Sequence, residues 1–475
     1  MNYVSPDVYI QDVVTGSGSS EQTSASVGAM IGVTPSGKIN EPRKVTSFTE
    51  YVEEFANGLA SPFLENDYLS YAVHGFFVNG GRELYVTSLK KTGVKATATG
   101  ETSGLSVTAI SEGAWGNDIK VSITQSTDYV ASTNEVFDVK VSIGTSDSAS
   151  VSDVTKDTIV SALLNNIKIS KWLGEVSLTK DDIKADEITL ASGSDGTSLT
   201  DDDYINALSL FDNLEDITLI AIPAQTSTKV NDALLKYSDE HGLFPILDMP
   251  VNSSVADTKA YRKSITAWTG ALCNTWGKVK DSLTNKIKNV PSVGHVMGVY
   301  ARTIENRGVH KAPAGTEATV EGFVDLVTSV NSTELGQLNS IGVVCIVSRP
   351  NLGIVIWGAR SLNSTDSTMK YVTDGLLNLS IKKSLYSETQ FAVFEPNDET
   401  LWGRVQAVCK AILENLRTEG ALKGDSDEAY YVTVDSTNNT DDTIAEGQLN
   451  IEIGYAPLKP AEFVIIKLAH SIEQS

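Results

Sequence analysis

The sequence predicts a multidomain chain of α/β and α+β class, with a mixed-sheet core, an inserted β-rich domain and extended terminal arms. Three observations carry that expectation. Continuous apolar strands alternate with amphipathic helices from Ser24 to Ser88 and again from Tyr204 to Trp276, as in a parallel or mixed sheet covered on both faces. Between these stretches, residues 91–199 turn rich in Ser, Thr, Asp and Lys and carry short alternating runs, which read as antiparallel strands. At each end a strand-like run stands apart, behind Gly and Ser at the front and beyond two prolines at the back. At 475 residues the chain exceeds one ordinary core. The expected divisions are an arm and linker at 1–20, the first part of the core at 21–90, the insert at 91–199, a central domain at 200–350 and a C-terminal domain at 351–475.

Taken in order, "YVSPDVYIQDVV" (3–14) alternates weakly and holds Pro6 near its start, so it can form only an edge strand. The tether Thr15-Gly16-Ser17-Gly18-Ser19-Ser20 offers that strand no hairpin partner of its own. A strand near Ala29 to Val33 comes next. Ser47, three residues before Glu50, opens a helix with Phe48, Tyr51, Val52 and Phe55 on one face. A second helix, with Tyr68, Leu69, Ala72, Val73, Phe76 and Phe77 aligned, stops at Asn79-Gly80-Gly81 and returns as strand Glu83 to Ser88. That glycine pair follows a helix instead of preceding one, so it is a cap and not an anion cradle.

In the insert, strands are expected at Leu105 to Ile110, Ile119 to Thr124, Val136 to Ile143 and Ile188 to Leu190, with a helix near Thr158 to Ile167. Asp195 and the run Asp201-Asp202-Asp203 lack the spacing of a calcium loop. Thr200 as a helix cap followed by first-turn acids accounts for the run. The core then resumes: helix 201–213, strand "ITLIAIP", a helix with Val230, Ala233, Leu234 and Tyr237 aligned, strand "LFPILDMP", helix Val255 to Trp268 and strand "ALCNTW". Asp248 lies where such sheets often hold ligands, yet neither GxGxxG nor GxxxxGK(S/T) follows any of these strands.

Ser292 caps a short helix, and the hairpin Gly342 to Val347 and Ile354 to Gly358 turns at Pro350-Asn351-Leu352-Gly353. Tyr371 to Tyr386 reads as helix. Asp398 or Glu399 then caps a strongly periodic helix whose Leu401, Trp402, Val405, Val408, Cys409, Ile412, Leu413 and Leu416 form one apolar face, ended by Gly420. Strand "YYVTVDS", a polar turn with Asn438 and Asn439, and strand Leu449 to Tyr455 follow. Pro457 and Pro460 detach a last strand, Glu462 to Leu468.

A formal net charge of -23 repels phosphate, which argues against nucleic acid and anionic membranes and for a neutral or basic protein partner. Cys273, Cys345 and Cys409 lie in apolar runs without CxxC spacing, as buried reduced thiols do. The opening residues lack a signal-peptide pattern and no apolar run is of membrane-spanning length, so a cytoplasmic site of synthesis is expected. His74, His241, His295, His310 and His470 are scattered, and no HExxH or GxSxG occurs. The pair His310-Lys311 reads as turn packing. No catalytic residue, cofactor or metal is expected.

The wording "GVYARTIENRGVHKAPAG" (298–315), "RPNLGIVIWGARSL" (349–362), "HGLFPILDMP", "EGAWGNDIKV", "LASGSDGTSL" and "FAVFEPNDETLWGRV" resembles contractile tail sheath proteins, the outer sleeve of myovirus tails and related injection machines. The start, Ser5-Pro6-Asp7-Val8-Tyr9-Ile10-Gln11-Asp12-Val13, is similar to that family's opening arm, and "KPAEFVIIKL" to its closing strand. The resemblance implies that Val8, Tyr9, Ile10 and Val13 form an arm that adds a strand to a neighbour. It likewise implies that Phe463, Val464, Ile465, Ile466 and Leu468 form the C-terminal strand that receives such arms. It further implies stacked six-fold rings of identical subunits around an inner tube, with baseplate and terminator proteins as partners and a location in the host cytoplasm and then in the particle tail. Arg404, Lys410 and Arg417, on the polar side of the periodic helix, are the expected tube-facing residues. The rival expectation is an α/β enzyme with a β-rich lid, which would be a monomer or a closed oligomer. An adhesion or surface-layer role, suggested by the Ser/Thr-rich insert, lacks an export signal.

Overall fold

A computed structural model of the chain describes residues 26–59, 61–90, 93–100, 102–126, 135–180, 183–281 and 285–465. Two compact units emerge, residues 26–302 with 314–365, and residues 303–313 with 366–465.

The first unit starts with β1 (Val27–Gly32), buried along its whole length. Ser47 caps α1 (Phe48–Phe55), accepting a hydrogen bond from the Glu50 N–H, after the short edge strand β2 (Arg43–Val45). α2 (Leu69–Val78) ends at Asn79, and Gly80 turns the chain with φ 96° into β3 (Leu84–Ser88). Here the polypeptide leaves for the insert: β4 (Lys95–Thr99), β5 (Leu105–Glu112), β6 (Ile119–Gln125), β7 (Phe137–Ile143), β8 (Asp147–Val154), α3 (Ile159–Asn165), β9 (Leu173–Leu178) and β10 (Asp186–Thr189). These strands form two antiparallel sheets, β4-β5-β9 and β10-β6-β7-β8, closed over a core of their own around Val107, Val121, Val139, Leu163 and Trp172. The sequence pattern does not predict strands β4, β8 and β9. Alternation along "DSASVSDV" sets small polar residues against each other, so the period-two signal has too little contrast to be seen.

On return, Thr200 and Asp203 make a reciprocal capping box at α4 (Asp201–Ala207). That cap accounts for part of the aspartate run. The expected helix to residue 213 tightens after Ala207 into a 3-10 turn. β11 (Ile217–Ala221), α5 (Thr228–Glu240), β12 (Phe244–Leu247), α6 (Val255–Ser264) and β13 (Ala271–Leu272) complete the core. α6 stops four residues short of the expected Trp268: Ile265 is extended, and the Arg262 guanidinium donates to the carbonyls of Ile265, Ile341 and Leu362. The central sheet has the order β13-β12-β11-β1-β3-β2, parallel throughout except for β2. It is the mixed sheet the apolar strands predicted.

A three-stranded sheet of β14 (Gly277–Lys280), β15 (Ile287–Val290) and β16 (Asp325–Leu326) follows, with α7 (Val293–Arg307) and α8 (Ser332–Ser340). The hairpin of β17 (Ile346–Arg349) and β18 (Gly353–Ile356) turns with Asn351 and Gly353 at positive φ. β17 is shorter than expected at its front, because Val344 pairs with Cys273 instead.

In β1, Ala29 and Ile31 join the core that also contains residues of α4 and α5. Gly28 and Gly32 belong to the other face, where a Cβ on Gly28 would lie 3.0 Å from Met297 Sδ and one on Gly32 would lie 3.0 Å from Leu69 Cβ. α7 crosses α2 closer still. A Cβ on Gly294 would sit 2.2 Å from the Ala72 carbonyl oxygen, and one on Gly298 2.4 Å from that of Phe76. Replacing Gly294 by Ala should therefore destabilise the first unit by about 3 kcal/mol, since backbone and not a movable side chain is in the way. Gly336→Ala within α8, where a Cβ meets nothing within 4 Å, should add about 0.5–1 kcal/mol through helix propensity. Chemical-denaturation midpoints of the two variants moving in the same direction would contradict this packing.

Candidate functional site

The second unit is built around two helices and a small sheet. α9 (Val372–Thr389) and α10 (Glu399–Thr418) are joined by a loop, and Asp398 caps α10 by accepting from the Leu401 N–H at 2.9 Å. Leu401, Trp402, Val405, Cys409, Ile412, Leu413 and Leu416 are buried, so seven of the eight residues expected on the apolar face reach the core; Val408 is half-buried. After the short helix α11 (Ser426–Ala429), β19 (Tyr430–Thr433) pairs antiparallel with β20 (Glu452–Tyr455) across a loop holding α12 (Asp441–Ala445). Asn438 and Asn439 close that loop by donating to the Asn450 carbonyl at 3.1 and 2.9 Å. Among the described residues the sheet has two strands. A two-stranded ribbon is marginal unless packing or a further strand supports it, and its outer edges are templates for pairing.

Beyond β20 the chain pairs briefly with residues 421–423 through the backbone of Ala456 and Leu458, and side-chain anchors follow. Tyr455 Oη donates to Asn378 Oδ1 at 2.8 Å. Lys459 Nζ lies 2.9 Å from Asp374 Oδ2 and donates to the Thr368 carbonyl. Asp374 is buried, which raises its carboxyl above the usual range against the pull of Lys459 and the Tyr371 N–H. Tyr371 Oη donates to Glu462 Oε2 at 3.2 Å. Phe463, Val464 and Ile465 then stand 72%, 83% and 80% exposed with no strand ladder, where a strand over Glu462 to Leu468 was expected. Three consecutive apolar side chains in water behind a fixed anchor are an unusual use of sequence. Ile466 and Leu468, and the arm residues Val8, Tyr9, Ile10 and Val13, lie outside the described residues.

The three cations of α10 have different surroundings. Arg404 lies with its guanidinium carbon 4.9 Å from the Phe391 ring centroid. Arg417 grips Glu414 through Nε and Nη2, and Tyr430 Oη donates to the same carboxylate, tying α10 to β19. Lys410 is exposed.

Asp248 serves the fold. Fully buried, it accepts backbone N–H groups from Ala224 at 3.1 Å, Ser292 at 3.1 Å and Val293 at 3.2 Å, so the carboxyl at this strand end caps α7. Burial pushes it up to about 7, against the lowering effect of those three donors. His295 is buried one turn into α7, its ring 3.9 Å from that of Phe323, and desolvation lowers it to about 3. His74 packs edge-on against Phe48 and His241 stacks on Tyr237. Burial and Arg307 lower His310. Cys273, Cys345 and Cys409 are buried free thiols. Among the described residues no group of three or more His, Cys, Asp or Glu side chains could hold a metal ion, and no helix is long and apolar enough to cross a membrane.

Residues 197–362 match the phage tail sheath protein central domain, and residues 364–469 the phage tail sheath C-terminal domain. Together they take in more than half of the chain. The tail sheath protein of Salmonella phage ViI is 24% identical over 197 residues, 41% of this chain. That alignment spans 30% of the phage protein's length. Among solved structures, the anti-feeding prophage helical sheath in its contracted state aligns with TM-score 0.62 at 21% identity, over 99% of this chain and 100% of that one. The sheath complex of the PVC extracellular contractile injection system, also contracted, aligns with TM-score 0.60 at 19% identity, over 100% and 99%. A sheath tail protein from Listeria innocua gives 0.63 at 16%, over 88% and 90%. These likenesses show that the fold is shared.

The buried cap yields a pH prediction. Asp248 holds a proton in the folded chain up to about pH 7, whereas an unfolded Asp loses it near pH 4. Between those values the folded state binds more protons, so this residue's contribution to stability falls as pH rises through the window, by up to about 4 kcal/mol. Unfolding free energies measured from pH 4 to 8 should show that decline in the wild type and lose it in Asp248→Asn; parallel curves would refute the assignment.

Proposed function

This chain belongs to the phage tail sheath family, and we propose that it is the subunit of a contractile sheath, polymerising helically around an inner tube and shortening to drive that tube through a target envelope. The observation that carries the reading is the end of the second unit. Among the described residues a sheet of two strands is followed in the chain by a segment anchored through Glu462 and apolar beyond it. In the proposed assembly Phe463, Val464, Ile465, Ile466 and Leu468 continue that sheet, and the arm carrying Val8, Tyr9, Ile10 and Val13 from an adjoining copy adds to its edge. Main-chain hydrogen bonds then join copies and cover edges that would otherwise aggregate. Because the donor arm and the receiving edge are different surfaces of one chain, the contact is heterologous and generates rings and helical arrays.

Contraction needs two packings of the same rigid bodies, the long one kinetically trapped and the short one lower in free energy. A few kcal/mol per subunit suffice when many act in series. Neither nucleotide nor catalytic residue enters. The tether at residues 15–20 and the Pro457 to Pro460 corner are the joints at which bodies turn while strands stay paired. The partners are copies of the chain in stacked six-fold rings, the inner tube, and baseplate and terminator proteins, with Arg404, Lys410 and Arg417 as tube-facing candidates. The charge of -23 disfavours nucleic acid and membrane surfaces. Assembly belongs in the host cytoplasm, and the finished product in the particle tail.

Removing residues 1–14 from the full chain should leave the circular dichroism spectrum and thermal midpoint unchanged while abolishing tubes in negative-stain micrographs. Removing 463–475 should do the same. Ordered tubes from the first deletion would take the N-terminal arm out of the mechanism; closed particles or monomers from the intact chain would overturn the sheath reading itself.

A further inference from the structure

We infer that neighbouring copies make a second, charge-matched contact: the loop bearing Phe394 in one copy seats against the β14–β15 hairpin bearing Ile287 in the next. The inference builds on the reading that copies polymerise, and adds an interface separate from the exchanged strands.

Phe394 is 88% exposed and has φ 68°. Left-handed backbone is costly for a non-glycine residue, and an aromatic ring held in water forgoes its burial energy. Strain of this kind concentrates at sites that bind something. The surrounding sequence, Phe-Glu-Pro-Asn-Asp-Glu (394–399), holds three acids and no base, and Glu395 and Glu399 are exposed. This is an aromatic knob with an acidic rim.

The hairpin has the opposite character. Between Gly277 and Val290 stand four lysines and a single aspartate, against the sign of the whole chain. Lys278 is committed to Asp325 at 2.7 Å, and Lys288 to the carbonyls of Leu64 and Glu65. Lys280 and Lys286 are exposed, and Ile287, between Lys286 and Lys288, is 56% exposed. β15 pairs only with β14 among the described residues. Lysines alone would suffice to keep an edge strand from pairing; an exposed isoleucine at its centre works against that purpose. An apolar strip with a basic rim suits an apolar knob with an acidic one, and opposite potentials fix partner and register. A second copy therefore supplies the receiving surface, and the contact, being heterologous, repeats along an assembly.

The test uses the full chain, whose own three thiols are buried. Phe394→Cys and Ile287→Cys proteins, mixed and mildly oxidised under assembly conditions, should give disulfide-linked dimers on non-reducing gels at least tenfold above either protein alone. Adding Glu395→Lys/Glu399→Lys to the first, or Lys280→Glu/Lys286→Glu to the second, should cut that yield about tenfold, and both together should restore it. Tubes that form without the mixed dimer overturn this contact and leave the sheath reading standing. A cross-link indifferent to charge reversal, or one that the double reversal fails to rescue, also overturns it. Absence of both tubes and dimer defeats the two together.

Discussion

The seating of α7 is the constraint on which the first unit depends. Its N-terminus is fixed by three elements at once, because Asp248 behind β12 takes N–H groups from Ala224 after β11 and from Ser292 and Val293 at the helix start. Its flank is pressed onto α2 where Gly294 and Gly298 leave no space for a Cβ. Beyond them Tyr300 is fully buried, its ring 6.2 Å from that of Phe244. A buried carboxyl is costly unless its hydrogen bonds are met, and here backbone donors at a helix N-terminus meet them. One polar interaction therefore registers the sheet against a helix that interlocking glycines hold at close range.

Much of this was legible in the residues. The alternation of "ITLIAIP" and "LFPILDMP" with amphipathic helices gave the mixed sheet, the Ser47 and Asp398 caps gave helix starts, and the apolar face of α10 is buried almost as its spacing foretold. What escaped did so for physical reasons. In β8 the side chains are too small and polar to make a hydrophobic period visible. The end of α6 is decided by an arginine that satisfies carbonyls far away in sequence, and the truncation of β17 by a bridge to Cys273. Asp248 could be singled out from its place after a strand, but whether it bound a ligand or capped a helix depended on which backbone came to meet it.

The site was legible differently. Prolines at 457 and 460 mark a segment that leaves its own ladder, yet sequence does not reveal that Lys459 and Glu462 hold it to α9. The anchor changes the meaning of the exposed residues after it. A tail loose along its whole length would be a frayed end; a tail fixed to within one residue of Phe463 presents an apolar run at a set place. Arg417 illustrates the converse. On a helical projection it was a surface cation facing outward, whereas its fork is engaged by Glu414, whose carboxylate also accepts from Tyr430 Oη, so its position is tied through Glu414 to the sheet it accompanies.

A sleeve that changes length must keep its copies linked while altering their angles, and the distribution of strength in this chain suits that demand. Main-chain pairing between strands is continuous and tolerant of side-chain identity, so joints made of it can persist while bodies rotate. The bodies must not yield in their place, and the glycine-tight crossing of α2 and α7 with its buried cap resists deformation because close-packed interiors transmit strain instead of absorbing it. Side-chain contacts such as an aromatic knob on a charged strip behave in a third way. They are short-ranged and specific, so they distinguish one arrangement of neighbours from another while the strands remain indifferent. Linkage through backbone and selection through side chains are then separable, and a two-state array needs both: the first so that a transition does not scatter the subunits, the second so that there are two states at all.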